Sequence, residues 1–259
     1  MTDTLLQGFG VLVTRPRAQA VELIEAIEGQ GGRAFCFPVI KIIPREANAI
    51  AADVAQLSAP DIAVFVSRNA VVNGLDYALG AKIAAIGPAT AAAIEVAGRS
   101  VDIQPTAGYD SESLLAEPAL QHAAGKNIRI IRGSNGRELL ADTLRKRGAT
   151  VDYVSVYERA LPEMDAESLK ELETAWLAGE INAITVMSIE TLDNLLAVLP
   201  DSLLSEFENV PLVTPAARVL KEAHNRYPES KPILARGTQV ADMLDAIITL
   251  QTTDPGLTS

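Results

Sequence analysis

The chain has 259 residues, with 22 Lys and Arg against 33 Asp and Glu for a formal charge of −11, 48% hydrophobic residues, 4% aromatics and a single cysteine. That length accommodates one large domain or two modest ones, and the apolar content supplies real cores, which excludes global disorder. Cys36 has no cysteine to pair with, which excludes a disulfide-stapled fold and any Cys-rich zinc module, and the acidity disfavours nucleic-acid binding. Taken alone, an acidic chain points to a neutral or cationic ligand.

The start, Met1 to Gly8, has no basic segment followed by an apolar stretch and a small-residue cleavage site. Lys, Glu or Asp interrupts every apolar run short of the roughly 18–20 residues that span a bilayer. A cytoplasmic protein with no membrane partner is therefore expected. Short apolar runs then alternate with helical patterns. Val11 to Val13, Ile62 to Val66, Ile83 to Ile86, Ile128 to Ile131, Ala183 to Met187, Pro211 to Val213 and Ile233 to Ala235 read as buried strands. Ala18 to Glu28, Glu138 to Arg147 and Ala166 to Leu177 read as helices, the last with Asp165 as its N-cap and Leu169, Leu172, Trp176 and Leu177 at helical spacing. Thr252 to Ser259 carries no apolar period and is expected to be a loose tail. Alternating strands and helices imply parallel sheets covered on both faces.

An internal repeat organises these elements. With Arg15 set on Arg132, Leu23 meets Leu140, Ile27 meets Leu144, Gly31 meets Gly148, Ala34 meets Val151 and Val39 meets Val156. A second block pairs Phe65-Val66-Ser67 with Val186-Met187-Ser188, and a third pairs Ile86 to Ala89 with Val213 to Ala216. Three blocks recur in one order, at offsets of 117, 121 and 127, which favours a duplicated α/β domain with its ligand in the cleft between the copies.

Each block places polar residues just after a strand: Arg15 to Arg17, Ser67 to Asn69, Gly87 to Thr90, Arg132 to Arg137, Ser188 to Thr191, and Thr214 to Ala216. In open parallel sheets these loops sit at the carboxyl ends of the strands, where ligands bind, and each opens a helix whose first amides attract anions. Taken singly, Ser67, Ser188 and Asp110 read as helix caps; the clustering of all the loops at one sheet edge favours ligand contact for the set. Familiar catalytic motifs are absent. Gly133 to Gly136 lacks the spacing and lysine of a P-loop, and neither a G-x-G-x-x-G nor a G-x-S-x-G pattern occurs. His122 and His224 lack neighbours at metal-ligand spacing and read as surface residues, and Cys36 reads as a small core hydrophobe. The expected site uses no metal and no cofactor. Tyr157 follows Val154-Ser155-Val156 where the first copy has Ile40, so its phenol is particular to the second copy. It reads either as a boundary tyrosine with a packed ring and wet hydroxyl, or as a functional group.

The motifs Val11-Leu-Val-Thr-Arg-Pro16, Phe65-Val-Ser-Arg-Asn-Ala70, Ala85-Ile-Gly-Pro-Ala-Thr-Ala91, Asp110 to Leu115, Ile131 to Leu140, Val154 to Arg159 and Val186 to Leu192 lie in the order and spacing of a known family. From about Val11 to Leu250 the chain resembles uroporphyrinogen-III synthase. The resemblance implies cyclisation of hydroxymethylbilane to uroporphyrinogen III with loss of water and inversion of the terminal pyrrole ring. Folding a flexible substrate into one reacting geometry then supplies much of the catalysis, and a general acid helps the hydroxyl leave. The resemblance puts Tyr157 in that catalytic role, with Arg15, Ser67, Arg68, Thr90, Arg132 and Ser188 as substrate-binding positions. The arginines read equally well as carboxylate partners and as packing groups.

The resemblance also implies an α/β fold of two similar flavodoxin-like parallel-sheet domains, joined by a two-stranded connector with the cleft between them. The repeat alone would cut the chain near residue 125. The family arrangement instead implies a discontinuous domain of residues 1–37 plus 160–259, an inserted domain of 43–154, and connector strands at 38–42 and 155–159. The implied partners are hydroxymethylbilane and, transiently, the upstream deaminase, with the chain a monomer. The implied substrate carries eight carboxylates, against the expectation from net charge. The acidic residues are therefore expected on helix faces away from the ligand, with arginines and helix N-termini at the site. The alternative is a non-catalytic two-domain protein that binds a small ligand in the cytoplasm.

Overall fold

A computed structural model describes residues 4–136 and 138–253. Strands form where the apolar runs stand: β1 Gly10–Val13, β2 Arg33–Cys36, β3 Lys41–Pro44, β4 Ile62–Phe65, β5 Lys82–Ala85, β6 Asn127–Gly133, β7 Thr150–Ala160, β8 Ala183–Thr185, β9 Leu212–Thr214 and β10 Ile233–Leu234. They make two five-stranded sheets, ordered β10-β9-β8-β1-β2 and β3-β7-β6-β4-β5. The pairings of β1 with β2 and β8, of β9 with β8 and β10, and of β4 with β5 and β6 are parallel, as is β6 with β7.

The chain divides into two compact units, Met1–Lys41 with Leu161–Ser259, and Ile42–Ala160. In the first, β1 lies between β2 and β8, with β9 and β10 beyond. In the second, β6 lies between β7 and β4, with β5 beyond and an isolated parallel bridge from Ala84 to Ile103 at its far side. The three repeat blocks therefore occupy equivalent places in the two sheets. The second unit simply reaches its β6–β7 block last in chain order. Strand β7 is one eleven-residue strand through Ala160, with a register shift against β6 at Arg132 and Gly133. Residues 155–159 are thus the second half of a sheet strand. Beyond β2, Phe37 N still donates to Val13 O and Val39 N to Thr14 O, while Pro38 between them has no N–H to offer the outer side.

Each sheet is covered on both faces by helices. In the first unit Leu12, Ile184 and Leu212 pack with Leu172, Trp176 and Phe207 on one side, and Val11, Val13 and Ala183 pack with Leu23, Ile27 and Ile247 on the other. In the second, Val64, Ile128 and Ile130 meet Leu140 and Leu144, while Phe65, Ile131 and Val156 meet Ala70, Ile94 and Tyr157. This covering buries the inner strands β1, β4, β8 and β9 along their whole length, so they read as continuous apolar runs, while the edge strands β2, β3 and β10 are half-buried or exposed. The helix Ala166–Leu177 begins where the pattern placed it, with Asp165 accepting from Ser168 N. Hydrogen bonds from Ser168 hold the Asp165 carboxyl below its ordinary pKa.

Two expectations change and one holds. Cys36 is only half-buried, because β2 is the edge strand of its sheet. The final helix, Val240–Thr253, continues through Thr252 and Thr253, and the rest of the expected tail lies outside the described residues. His122 and His224 are exposed, as surface residues should be. Among the described residues no helix is long and apolar enough to cross a membrane.

Candidate active site

Because the ladders are parallel, the loops after β6, β4 and β5 open at one end of the second sheet, side by side in that order. Ser67 follows β4 and caps the helix Arg68–Gly74, its Oγ accepting from Ala70 N at 3.1 Å. That same Oγ lies 3.1 Å from the Tyr157 hydroxyl, so the structure joins two residues 90 positions apart. Tyr157 is 2% exposed, with its ring in the core alongside Ile131 and Val156. Its hydroxyl is therefore held by a protein hydroxyl, in place of the wet contact of a boundary tyrosine. Arg68 stands half-buried at the first turn of the same helix. Thr90 is 4% exposed in the first turn of the helix Pro88–Val96, whose N-cap is Gly87.

Gly133 governs how closely that phenol can approach. A Cβ at Gly133 would lie 2.8 Å from Cε2 and 2.9 Å from Cζ of Tyr157, so only glycine lets the ring lie on the β6 strand end. The register shift at this point hands Ser134 N to Tyr157 O at 2.9 Å. Beside it Arg132, 7% exposed, donates from Nε to Gly133 O and from Nη1 to Glu138 Oε1, each at 3.2 Å. Its guanidinium also stacks 4.6 Å over the Tyr153 ring, and Tyr153 donates its hydroxyl to Glu138. A Cβ at Gly136 would stand 2.6 Å from Arg132 Nη2, which places that glycine against the guanidinium.

Burial and the Glu138 carboxylate push the Tyr153 phenol up to about 12, while the Tyr153 hydrogen bond, aided by Arg132, draws Glu138 below its ordinary range. Arg132 is thus a strut for the loop that follows β6, with its donors turned to protein groups. Arg137, in the same loop, lies outside the described residues.

In the first unit Arg15 follows β1 and donates to Thr238 O at 3.1 Å, tying this turn to the loop after β10. Ser188 follows β8, the neighbour of β1, and caps the helix Ile189–Val198. Its Oγ accepts from Thr191 N at 3.1 Å and meets Thr191 Oγ1 at 2.9 Å. Asp110 likewise caps Ser111–Leu115 by accepting from Ser113 N. All three residues read as caps do cap helices, and Ser67 adds the tyrosine. Thr214, fully buried, accepts from Ala216 N and so holds its own turn.

Gly133, weighed in the sequence only against a P-loop, and Glu138 and Tyr153 were given no role at the site. A signal for the first existed: the glycine occupies the place that Pro16 takes in the other copy. Among the described residues no cluster of His, Cys, Asp and Glu is arranged to hold a metal ion. The chemistry on offer is a phenol with a hydroxyl partner, helix N-termini along one sheet edge, and a braced glycine loop.

A family model described as HEM4, uroporphyrinogen-III synthase HemD, matches residues 21–228. The chain belongs to the uroporphyrinogen-III synthase family. The uroporphyrinogen-III synthase of Salmonella typhimurium is 32% identical over 200 residues, covering 73% of this chain and 80% of that one. A putative uroporphyrinogen-III synthase of Methanothermobacter thermautotrophicus is 31% identical over 194 residues, covering 72% and 76%. Among solved structures, a mutant uroporphyrinogen III synthase of Thermus thermophilus superposes with a TM-score of 0.60 at 21% identity, covering 95% of this chain and 99% of that one. The Helicobacter pylori enzyme gives 0.61 at 12% identity, covering 93% and 99%. Those two likenesses carry the synthase family's fold down to low identity.

Proposed function

We propose that this chain closes hydroxymethylbilane to uroporphyrinogen III, with Tyr157 as the acid that assists departure of the substrate hydroxyl. The observation that carries the reading is the Tyr157–Ser67 hydrogen bond at the end of the β4–β6 ladder, in a chain that belongs to the synthase family. Departure of the hydroxyl as water leaves an azafulvene. The substituted carbon of the far pyrrole attacks it, the resulting spiro intermediate reopens with that ring inverted, and the macrocycle closes. The proton lost from the pyrrole as it becomes aromatic again replaces the one the phenol gave. Ser67 sits where it can orient the phenolic proton and receive it in turn, which requires the short, fixed separation that Gly133 permits.

Substrate carboxylates are assigned to the helix N-termini at Ser67, Gly87 and Ser188, where free amides and the helix dipole favour anions by roughly 0.3–1 kcal/mol each. Arg15, Arg68 and Thr90 border these turns and are assigned to binding, while Arg132 is assigned to holding its loop. No cofactor enters the proposal. It further takes the two sheets as flavodoxin-like, with residues 38–42 and 155–159 acting as the connector between domains 1–37 plus 160–259 and 43–154. It places a monomeric enzyme in the cytoplasm, meeting the upstream deaminase transiently.

The test is to supply the purified chain with enzymatically generated hydroxymethylbilane and separate the oxidised products by isomer. Type III product supports the proposal. Type I alone, the outcome of unassisted closure, would refute it in favour of the ligand-binding alternative.

A further inference from the structure

We infer that the open edge of β2 in the first unit is a docking site for an extended, basic segment of a partner protein, which adds to the sheet as a sixth strand. The β1 ladder uses alternate residues of β2: Arg33 N donates to Phe9 O and Phe37 N to Val13 O, both at 2.9 Å. Alternation then turns the N–H and C=O of Ala34 and Cys36 to the opposite side, where the sheet has no further strand among the described residues. The edge is four residues long, about 13 Å at roughly 3.3 Å per residue, enough for a four- or five-residue strand.

The other copy covers the equivalent of this edge at one position, Val151, and the stretch just beyond it at two. On β7 the outward Val151 O accepts from Arg145 Nη2 at 3.1 Å, Ser155 O from the Arg45 guanidinium at 2.7 Å, and Val156 O from Arg45 N at 3.1 Å. The two covering groups are β3 with its following residue, Lys41-Ile-Ile-Pro-Arg45, and an arginine. In the first unit Ala34 stands for Val151, and Glu28 stands for Arg145. A carboxylate cannot donate to the Ala34 carbonyl, and among the described residues no strand pairs with the outer side of β2. In its place runs a groove of about 1030 Å³, with β2 as one wall and the helix Ala166–Leu177 as the other.

The groove also selects the chemistry of its occupant. Its floor is apolar, with Leu12, Phe35 and Leu172, which suits alternate aliphatic side chains of an added strand. On the facing helix Glu167 and Glu171 are exposed one turn apart with Lys170 between them, and Glu180 at the end of the groove already holds Arg33, which leaves the lining with one more acidic than basic side chain. The first unit as a whole has 10 Lys and Arg against 20 Asp and Glu, whereas the second has 12 against 13. That excess opposes pairing with a second copy of the same edge and favours a basic partner. The strand that covers β7 has the matching pattern, two isoleucines flanked by Lys41 and Arg45.

The probe is a capped heptapeptide alternating Lys or Arg with Val, added to the full-length chain and followed by backbone amide exchange. Exchange at Ala34 and Cys36 is expected to slow by about tenfold or more, with the β6–β7 amides unchanged. A copy N-methylated on one edge and a copy with Glu for every base should each bind about tenfold more weakly or worse. Glu167→Gln with Glu171→Gln should weaken the basic peptide several-fold while leaving the melting temperature in place. Equal binding of the N-methylated copy, or unaltered exchange at millimolar peptide, would overturn the inference. So would a chain that sediments as a dimer with Ala34 and Cys36 already protected, which would assign the edge to a second copy.

Discussion

After β1 the chain turns through Arg15 and Pro16; after β6 it turns through Arg132 and Gly133, and the exchange of proline for glycine separates the copy with no phenol over its turn from the copy that lays Tyr157 there. Both units run the same ladder, and both put a serine cap after the strand beside it, Ser188 in one and Ser67 in the other. Yet the second copy has Tyr157 where the first has Ile40, Tyr153 where it has Cys36, and Arg145 where it has Glu28. Even within the strand, the buried Arg129, donating to the carbonyls of Tyr77 and Ser58, replaces Leu12. Burial pulls that guanidinium below its ordinary pKa, with Asp152 opposing the change. The duplicated fold is therefore asymmetric in its polar content. One copy carries most of the negative charge and an open edge, and the other carries a near-neutral balance and a braced phenol.

The comparison breaks most sharply at the glycine. Gly133→Ala sets a Cβ 2.8 Å from the Tyr157 ring, so the ring must leave Ser67. Type III formation should fall by about 10²-fold, with about 1–3 kcal/mol lost to overpacking. Pro16→Ala, at the same place in the other copy, should leave the rate within about twofold, since no phenol lies over it. Isomer-resolved kinetics with urea melts read both quantities.

The serine pair comes next. Ser67→Ala and Ser188→Ala each lose an N-cap and should cost about 1 kcal/mol. Their kinetics should differ: Ser67→Ala lowers kcat about tenfold by releasing Tyr157, while Ser188→Ala raises KM and spares kcat. Identical kinetic profiles would show that the hydroxyl contact at Tyr157 has no consequence for the chemistry.

A smaller effect distinguishes the Arg132–Glu138–Tyr153 brace, which the first copy lacks. The folded pKa of Tyr153 is raised to about 12 from the 10.0 of a free phenol. Its contribution to stability is thus complete below about pH 10 and is lost as pH rises from there through about 12. Tyr153→Phe should melt lower than the parent at pH 9, and the gap should narrow by pH 11. A gap that widens with pH would contradict the assignment.

Much of this was legible because burial on both faces of a parallel sheet leaves uninterrupted apolar runs, and because the repeat blocks kept their order. The helix Ala166–Leu177 with its Asp165 cap was readable to the residue. The strand order was not readable, since the second unit reaches β6 and β7 last in the chain; the resemblance implied only that the first domain is discontinuous. Side-chain reach was not readable. Nothing in spacing says that Tyr157 turns to Ser67, because a register shift at Gly133 decides which face its ring takes. Nor does it say that Arg132 spends its donors on Gly133 and Glu138, since the partner that fixes Glu138 is Tyr153, one strand away. Cys36 misled because an apolar setting in a strand does not distinguish an edge from a centre.

The most direct measurement is the rate of type III formation by Tyr157→Phe, with the type I background followed in the same samples. The phenylalanine keeps the buried ring and removes only the hydroxyl that meets Ser67. The account predicts a fall of about 10²-fold in type III rate with the melting transition retained and type I accumulating in its place. A variant that forms type III at the parental rate would contradict it and return Tyr157 to the core.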